Sequence, residues 1–152
     1  MQKAIRILSL TANLLVLANY LLLSISAYTI LTTFMGLTPT DGREQMNAEI
    51  NPSGDAVFSL KMKNNGLLED TINASIKIAF KDEVIERGNY ITLQPNGMDE
   101  LRFEFNLTQE QIVRATSNPP KVLMTLEVKT LKGLAGIGLE TEVGGITSNE
   151  NV

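Results

Sequence analysis

The chain has no cysteine, no histidine and no tryptophan. Without cysteine no disulfide can staple a small domain, so packing alone must hold the fold. Without histidine or cysteine, neither the common zinc sites nor a Ser-His or Cys-His nucleophile can be assembled from these residues. A further absence is local: Ile7 to Thr40 contains no Asp, Glu, Lys or Arg. That run is far longer than the roughly 20 residues that cross a bilayer, and it predicts one long hydrophobic N-terminal helix in or across a membrane.

Lys3 and Arg6 stand just before the run, while Asp41, Arg43 and Glu44 follow it. A cationic flank on the N-terminal side predicts a single-pass topology, N-terminus cytoplasmic and the rest extracytoplasmic, with membrane lipid as a partner. Ser24-Ile25-Ser26 ahead of Ala27 also has the small-x-small form of a cleavage site, but the apolar run is long for a cleaved signal and continues through Met35. Lys3-Ala4 faintly resembles the processing site of archaeal type IV pilins, with Arg6 a poor fit.

Thirty helical residues extend about 45 Å, more than a hydrocarbon core of about 30 Å, so the excess must tilt, pack or emerge. The run is also polar for a lipid-facing helix. On a helical wheel Ser9, Asn13, Tyr20, Ser24 and Tyr28 share one side, and Thr11, Ser26, Thr29, Thr33 and Gly36 gather on another. Ser and Thr can bond their own preceding turn, whereas the amides of Asn13 and Asn19 are costly in hydrocarbon without a partner. Ser9, Asn13, Asn19, Tyr20, Ser24 and Tyr28 are therefore the residues expected to mediate helix association with other protein chains.

Composition and punctuation divide the chain into a helix over 1–36, a juxtamembrane linker over 37–43 carrying Pro39 and Gly42, a folded domain over 44–143 and a flexible tail over 144–152. The chain carries 13 basic and 17 acidic residues. Lys3 and Arg6 account for two of those 13, so the outer part holds 11 basic against 17 acidic residues, the wrong sign for nucleic acid.

Within the folded part the periodicity changes from helical to two-residue alternation. Met46, Ala48 and Ile50 alternate with polar positions up to the turn at Asn51-Pro52-Ser53-Gly54. Phe58, Leu60 and Met62 then lead to Asn64-Asn65-Gly66, and Ile72, Ala74, Ile76, Ile78 and Phe80 line one face of a third strand. Glu83 to Leu93 predicts a fourth strand interrupted by a bulge or short hairpin at Gly88, followed by the turn Gln94-Pro95-Asn96-Gly97. Leu101, Phe103, Phe105 and Leu107 form a fifth. Thr108 and Gln111 have capping-box spacing before a short helix that Ser117-Asn118-Pro119-Pro120 stops. Val122 to Thr130 and Leu134 to Val143 close the domain as a hairpin across Lys132-Gly133. About seven antiparallel strands with one short helix predict a mainly β fold, an immunoglobulin- or fibronectin-like β-sandwich.

The succession FSLKMKNNG, INASIKIAFKDEVIERGNYITLQPNG and LRFEFNLTQEQI, a proline-containing break and two closing strands resembles the late embryogenesis abundant group 2 domain, also called the water stress and hypersensitive response (WHy) domain. The resemblance covers about Glu44 to Val143. It implies a non-enzymatic sandwich, carried in several branches of the family on an N-terminal membrane helix, and it implies no site residues. Archaellum accessory subunits and cell-surface adhesion modules show similar alternation.

Chemistry is sparse. The carboxylates Glu69-Asp70, Asp82-Glu83, Asp99-Glu100, Glu140 and Glu142 are expected at turns or on outward strand positions rather than converging in a cleft, as acid/base work would need. Oxygen ligands from sandwich loops suit calcium, but no loop has EF-hand spacing. Leu131 to Gly138 is glycine-rich without the Gly-Lys-Ser/Thr of a phosphate loop. Asn73-Ala74-Ser75 and Asn106-Leu107-Thr108 are glycosylation sequons, making Asn73 and Asn106 candidates, while Pro52 disqualifies Asn51. No cofactor, metal or small-molecule substrate is indicated. The expectation is a structural or interaction protein; the alternatives are a filament subunit whose long helix packs in a fibre core and, more remotely, a hydrolase using Asp99 or Glu100.

Overall fold

Apolar residues at every second position favour a pleated strand with that face covered, and strands of this kind form the heart of two facing sheets. The computed structural model describes residues 2–36, 46–50 and 54–143. Helix α1 spans Gln2–Met35 and is followed by strands β1 (Met46–Ile50), β2 (Asp55–Lys63), β3 (Asp70–Ala79), β4 (Val84–Leu93) and β5 (Met98–Asn106). Helix α2 (Gln109–Ser117) precedes β6 (Lys121–Thr130), a single 3-10 turn at Leu131–Gly133 and β7 (Ala135–Val143). The fold is therefore mainly β, a two-layer antiparallel sandwich with one long N-terminal helix and one short internal helix. The expected linker and tail lie outside the described residues.

The sheets run β1-β2-β5 and β4-β3-β6-β7. Placing β4 beside β3, rather than beside β5 as in an immunoglobulin constant domain, gives a three-plus-four division. Between the layers β2 contributes Phe58, Leu60 and Met62, β5 contributes Leu101, Phe103 and Phe105, and β3 and β6 contribute Ile72, Ile76, Ile78, Val122, Leu126 and Val128, all buried. Phe58 and Phe105 meet edge to face, with centroids 5.6 Å apart and planes at 87°, the geometry that ring quadrupoles favour.

The expected interruption at Gly88 is not there. Strand β4 pairs with β3 without a break from Asp70↔Leu93 to Ala79↔Val84, with Gly88 opposite Ser75. The reason is positional: β4 edges its sheet and both faces around Gly88 are exposed, so a missing side chain leaves no hole to be relieved by a bulge. The capping box before α2 forms as the spacing predicts. Gln111 N donates to the Thr108 hydroxyl, and Thr108 N donates to Gln111 Oε1.

Strand direction sorts the connections into two ends. The β2–β3 loop, the β4–β5 turn and the β6–β7 hairpin tip share one end, since Lys63 pairs with Met98, and Asp70 pairs with both Leu93 and Thr130. The β3–β4 turn and α2 lie at the other. Helix α1 meets the first end.

Candidate functional site

The most constrained cluster outside the core is the junction of α1 with that end. Ser26, Thr29, Ile30 and Thr33 fall at i, i+3, i+4 and i+7, one face of a helix, and all four are buried. Ile30 joins the hydrophobic core of the sandwich, with Phe34 packed against its margin. Two hydroxyls on this face reach the domain. Thr33 Oγ1 donates to Asp70 Oδ2 at 2.6 Å, and Leu67 N donates to Thr29 Oγ1 at 3.1 Å. The approach is close because residue 66 is glycine: a Cβ there would lie 2.6 Å from the Thr29 Cα and 2.4 Å from its Cγ2.

Asn64 braces the receiving loop. Its side chain is fully buried; Nδ2 donates to Leu68 O at 2.7 Å and Leu93 O at 3.1 Å, and Oδ1 accepts from Gly66 N at 2.8 Å. Its backbone bonds across to the β4–β5 turn through Asn64 N to Gly97 O and Asn96 N to Asn64 O. One asparagine thus ties the β2–β3 loop, on which α1 rests, to the end of β4 and to the β4–β5 turn. In the sequence it is only the first residue of an Asn-Asn-Gly turn; the signal was an Asx turn, and its long-range partners had none.

Asp70 corrects an expectation. It belongs to a carboxylate doublet read as solvated, yet it is 0% exposed, while its neighbour Glu69 is exposed and accepts a hydrogen bond from Gln94 Nε2. Asp70 begins β3 in phase with Ile72, Ala74 and Ile76, so strand alternation turns it inward. Its Oδ2 takes the Thr33 hydroxyl and its Oδ1 has no hydrogen-bond partner among the described residues. Burial pushes its carboxyl above the ordinary value of 3.8, opposed in part by the Thr33 hydrogen bond. A carboxyl that holds its proton more tightly folded than unfolded contributes its full stability below the unfolded value and loses it as pH rises through the folded one. Acidification from neutral pH is accordingly expected to raise the unfolding midpoint of the native chain relative to an Asp70→Asn variant, in urea titrations run side by side. The comparison cancels carboxylates with the opposite sign, such as Glu127, which Lys129 Nζ at 2.8 Å holds below its usual range. Parallel midpoint-against-pH curves for the two chains would refute the assignment.

The residues expected to mediate helix association lie elsewhere. Ser9, Asn13, Asn19, Tyr20, Ser24 and Tyr28 are all exposed on this single chain, and the stripe that docks is the other one. Ser24 and Ser26 donate to the carbonyls of Tyr20 and Leu22, and Thr32 to those of Tyr28 and Thr29, the back-bonding that satisfies hydroxyls on apolar helices. Of the sequon residues, Asn106 is exposed at the end of β5. Asn73 is half-buried on the central strand β3, its Nδ2 donating to Glu127 Oε2 at 3.3 Å.

Asp99 and Glu100 are exposed neighbours on β5, and strand alternation sends them to opposite faces. Among the described residues no three His, Cys, Asp or Glu side chains gather as metal ligands would. At the far end, an open groove of about 290 Å³ lies between the β3–β4 turn and α2, lined by Phe80, Asp82, Val113, Arg114 and Asn118.

No family model matches the chain, and no curated protein is similar to it. Among solved structures, it is similar to a calcium-binding mutant of beta-glucuronidase 2 from Bacteroides uniformis, at 14% identity and a TM-score of 0.37, covering 64% of this chain and 12% of that one. It is also similar to the sporulation control protein Spo0M from Bacillus subtilis, at 12% identity and a TM-score of 0.30, covering 65% of this chain and 47% of that one. The helix segment Ser9–Met35 is long and apolar enough to cross a membrane.

Proposed function

We propose that this chain is a membrane-anchored, non-enzymatic structural or interaction protein, with α1 crossing the bilayer, its N-terminus cytoplasmic, and the sandwich held outside. The observation that carries the reading is the division of one helix into two surfaces. Leu10, Leu14, Leu15, Leu17, Leu21 and Leu23 are all exposed, whereas burial begins at Ser26. An apolar helix surface of that length is unstable in water and suits lipid or another apolar helix. Lys3 and Arg6 ahead of it favour the inside orientation. Kinship with the late embryogenesis abundant group 2 domains belongs to the same proposal and rests on the order of elements alone.

The test is extraction and topology. The chain is expected to stay with membranes through alkaline carbonate, and protease added from outside is expected to digest the sandwich while sparing a fragment ending near Ser26. Release by carbonate, or protection of the sandwich in sealed right-side-out vesicles, would reject the reading. A filament subunit is the second reading, favoured by Asn13 and Asn19, whose exposed amides find company more readily in a bundle of helices than in lipid. Sedimentable fibres in the absence of detergent would support it over the first.

A further inference from the structure

We propose that the end of the sandwich from which α1 departs is itself a lipid-contacting surface, with Leu67 and Leu134 seated in the headgroup region of the leaflet that the helix enters. The inference rests on the membrane-spanning reading of α1 and extends it to the folded domain.

Length is the first argument. From Arg6, the last charge before the apolar run, to Ser26, the first buried residue, α1 rises about 30 Å, the thickness of the hydrocarbon core. Thr29, which touches Gly66 and Leu67, lies one turn further along. The β2–β3 loop therefore sits at the depth where hydrocarbon gives way to headgroups, with no spacer between membrane and domain.

The surface at that depth is the second. Leu67 is 64% exposed in the β2–β3 loop, and Leu134 is 86% exposed beside the β6–β7 tip. A soluble domain gains nothing by showing leucines on two neighbouring loops, but each side chain sunk into the acyl boundary is removed from water. The hairpin tip is also held in an uncommon shape: Leu131 and Lys132 have φ of 53° and 55°, followed by Gly133 at 89°. Left-handed backbone at two successive non-glycine residues persists where the surroundings or a task demand it. Here it projects Lys132 and Leu134 outward together.

Because the chain has no cysteine, single-cysteine variants of the full-length protein can be labelled at one site each with an environment-sensitive fluorophore. They would be reconstituted in bilayers of phosphatidylcholine and phosphatidylglycerol carrying nitroxide at either the headgroup or the chain centre. Labels at Leu67→Cys and Leu134→Cys are expected to be quenched by headgroup nitroxide several-fold more than a label at Val84→Cys, which lies at the far end and is also exposed. A label at Leu17→Cys is expected to respond to chain-centre nitroxide. Quenching at Leu17 with Leu67 and Leu134 no different from Val84 would overturn this inference and leave the anchor standing. No quenching at Leu17 would overturn both. Adding Leu67→Asp to the labelled Leu134→Cys chain should lower its quenching without unfolding the sandwich, since the substituted side chain is exposed.

Discussion

A Gly66→Val chain is expected to keep its sandwich and lose its docked helix. The added Cβ would meet the backbone Cα of Thr29 at 2.6 Å as well as its side-chain Cβ at 2.7 Å, so no rotamer change relieves the clash. One of the two surfaces must move. The loop cannot retreat, because Asn64 fastens it from behind to Leu93 and to the β4–β5 turn. The helix is the freer partner, tied by Thr33 to Asp70, Thr29 to Leu67 and the insertion of Ile30. Overpacking of this kind costs about 3 kcal/mol at its upper range, enough to lower the docking equilibrium constant by about a hundredfold. Amide exchange reads the result directly: the Leu67 N–H, bonded to Thr29, should exchange quickly in the variant while the β5 amides around Phe103 stay protected. Gly66→Ala should act in the same direction, since the clash is already with Cβ. Unchanged protection at Leu67 in both variants would show that the close approach does not matter.

Asn64→Ala is expected to destabilise the whole sandwich by about 3 to 4 kcal/mol. The substitution deletes three hydrogen bonds and leaves Leu68 O, Leu93 O and Gly66 N without the partners they have in the native chain, each orphan costing about 1 to 3 kcal/mol when water cannot reach it. It also loosens the contact between the β2–β3 loop and the β4–β5 turn, through which the two sheets are joined at this end. Asn64→Asp should be no better, because a carboxylate keeps the acceptor for Gly66 but faces two carbonyl oxygens with nothing to donate. Urea unfolding in detergent would measure both. A loss of about 1 kcal/mol or less for Asn64→Ala would mean that water replaces the amide and that the asparagine is no brace.

The core strands β2, β3, β5 and β6 were legible because each has one covered face. Ile72, Ala74, Ile76 and Ile78 announce β3 whatever lies opposite, and Thr108 with Gln111 announces α2, since capping is decided within one turn of chain. The junction was legible only by halves. Ser26, Thr29 and Thr33 stand out as a stripe from sequence, but nothing local says that the stripe meets Gly66, Leu67 and Asp70, nearly forty residues on, rather than another chain. Asp70 misled for the same reason. A carboxylate beside Glu69 after a turn has the pattern of a solvated pair, and only the phase of β3, fixed by its pairing with both β4 and β6, turns it inward. Gly88 misled in reverse, because an edge strand tolerates a missing side chain that a covered strand would not.

The helix that leaves the sandwich also transmits orientation. Its contacts with Asp70 and Leu67 lie about one turn apart on a single face, so the domain grips α1 at one height and one azimuth. An α-helix turns about 100° per residue. Adding or removing one residue anywhere between Ser9 and Ile25 would leave that grip intact and swing the entire domain about a quarter turn relative to Asn13 and whatever Asn13 touches. On the proposed membrane-anchored reading, which edge strand, β7 or β4, would face a neighbour is therefore set by a count of residues inside the apolar run, and not by any residue in the domain that does the facing.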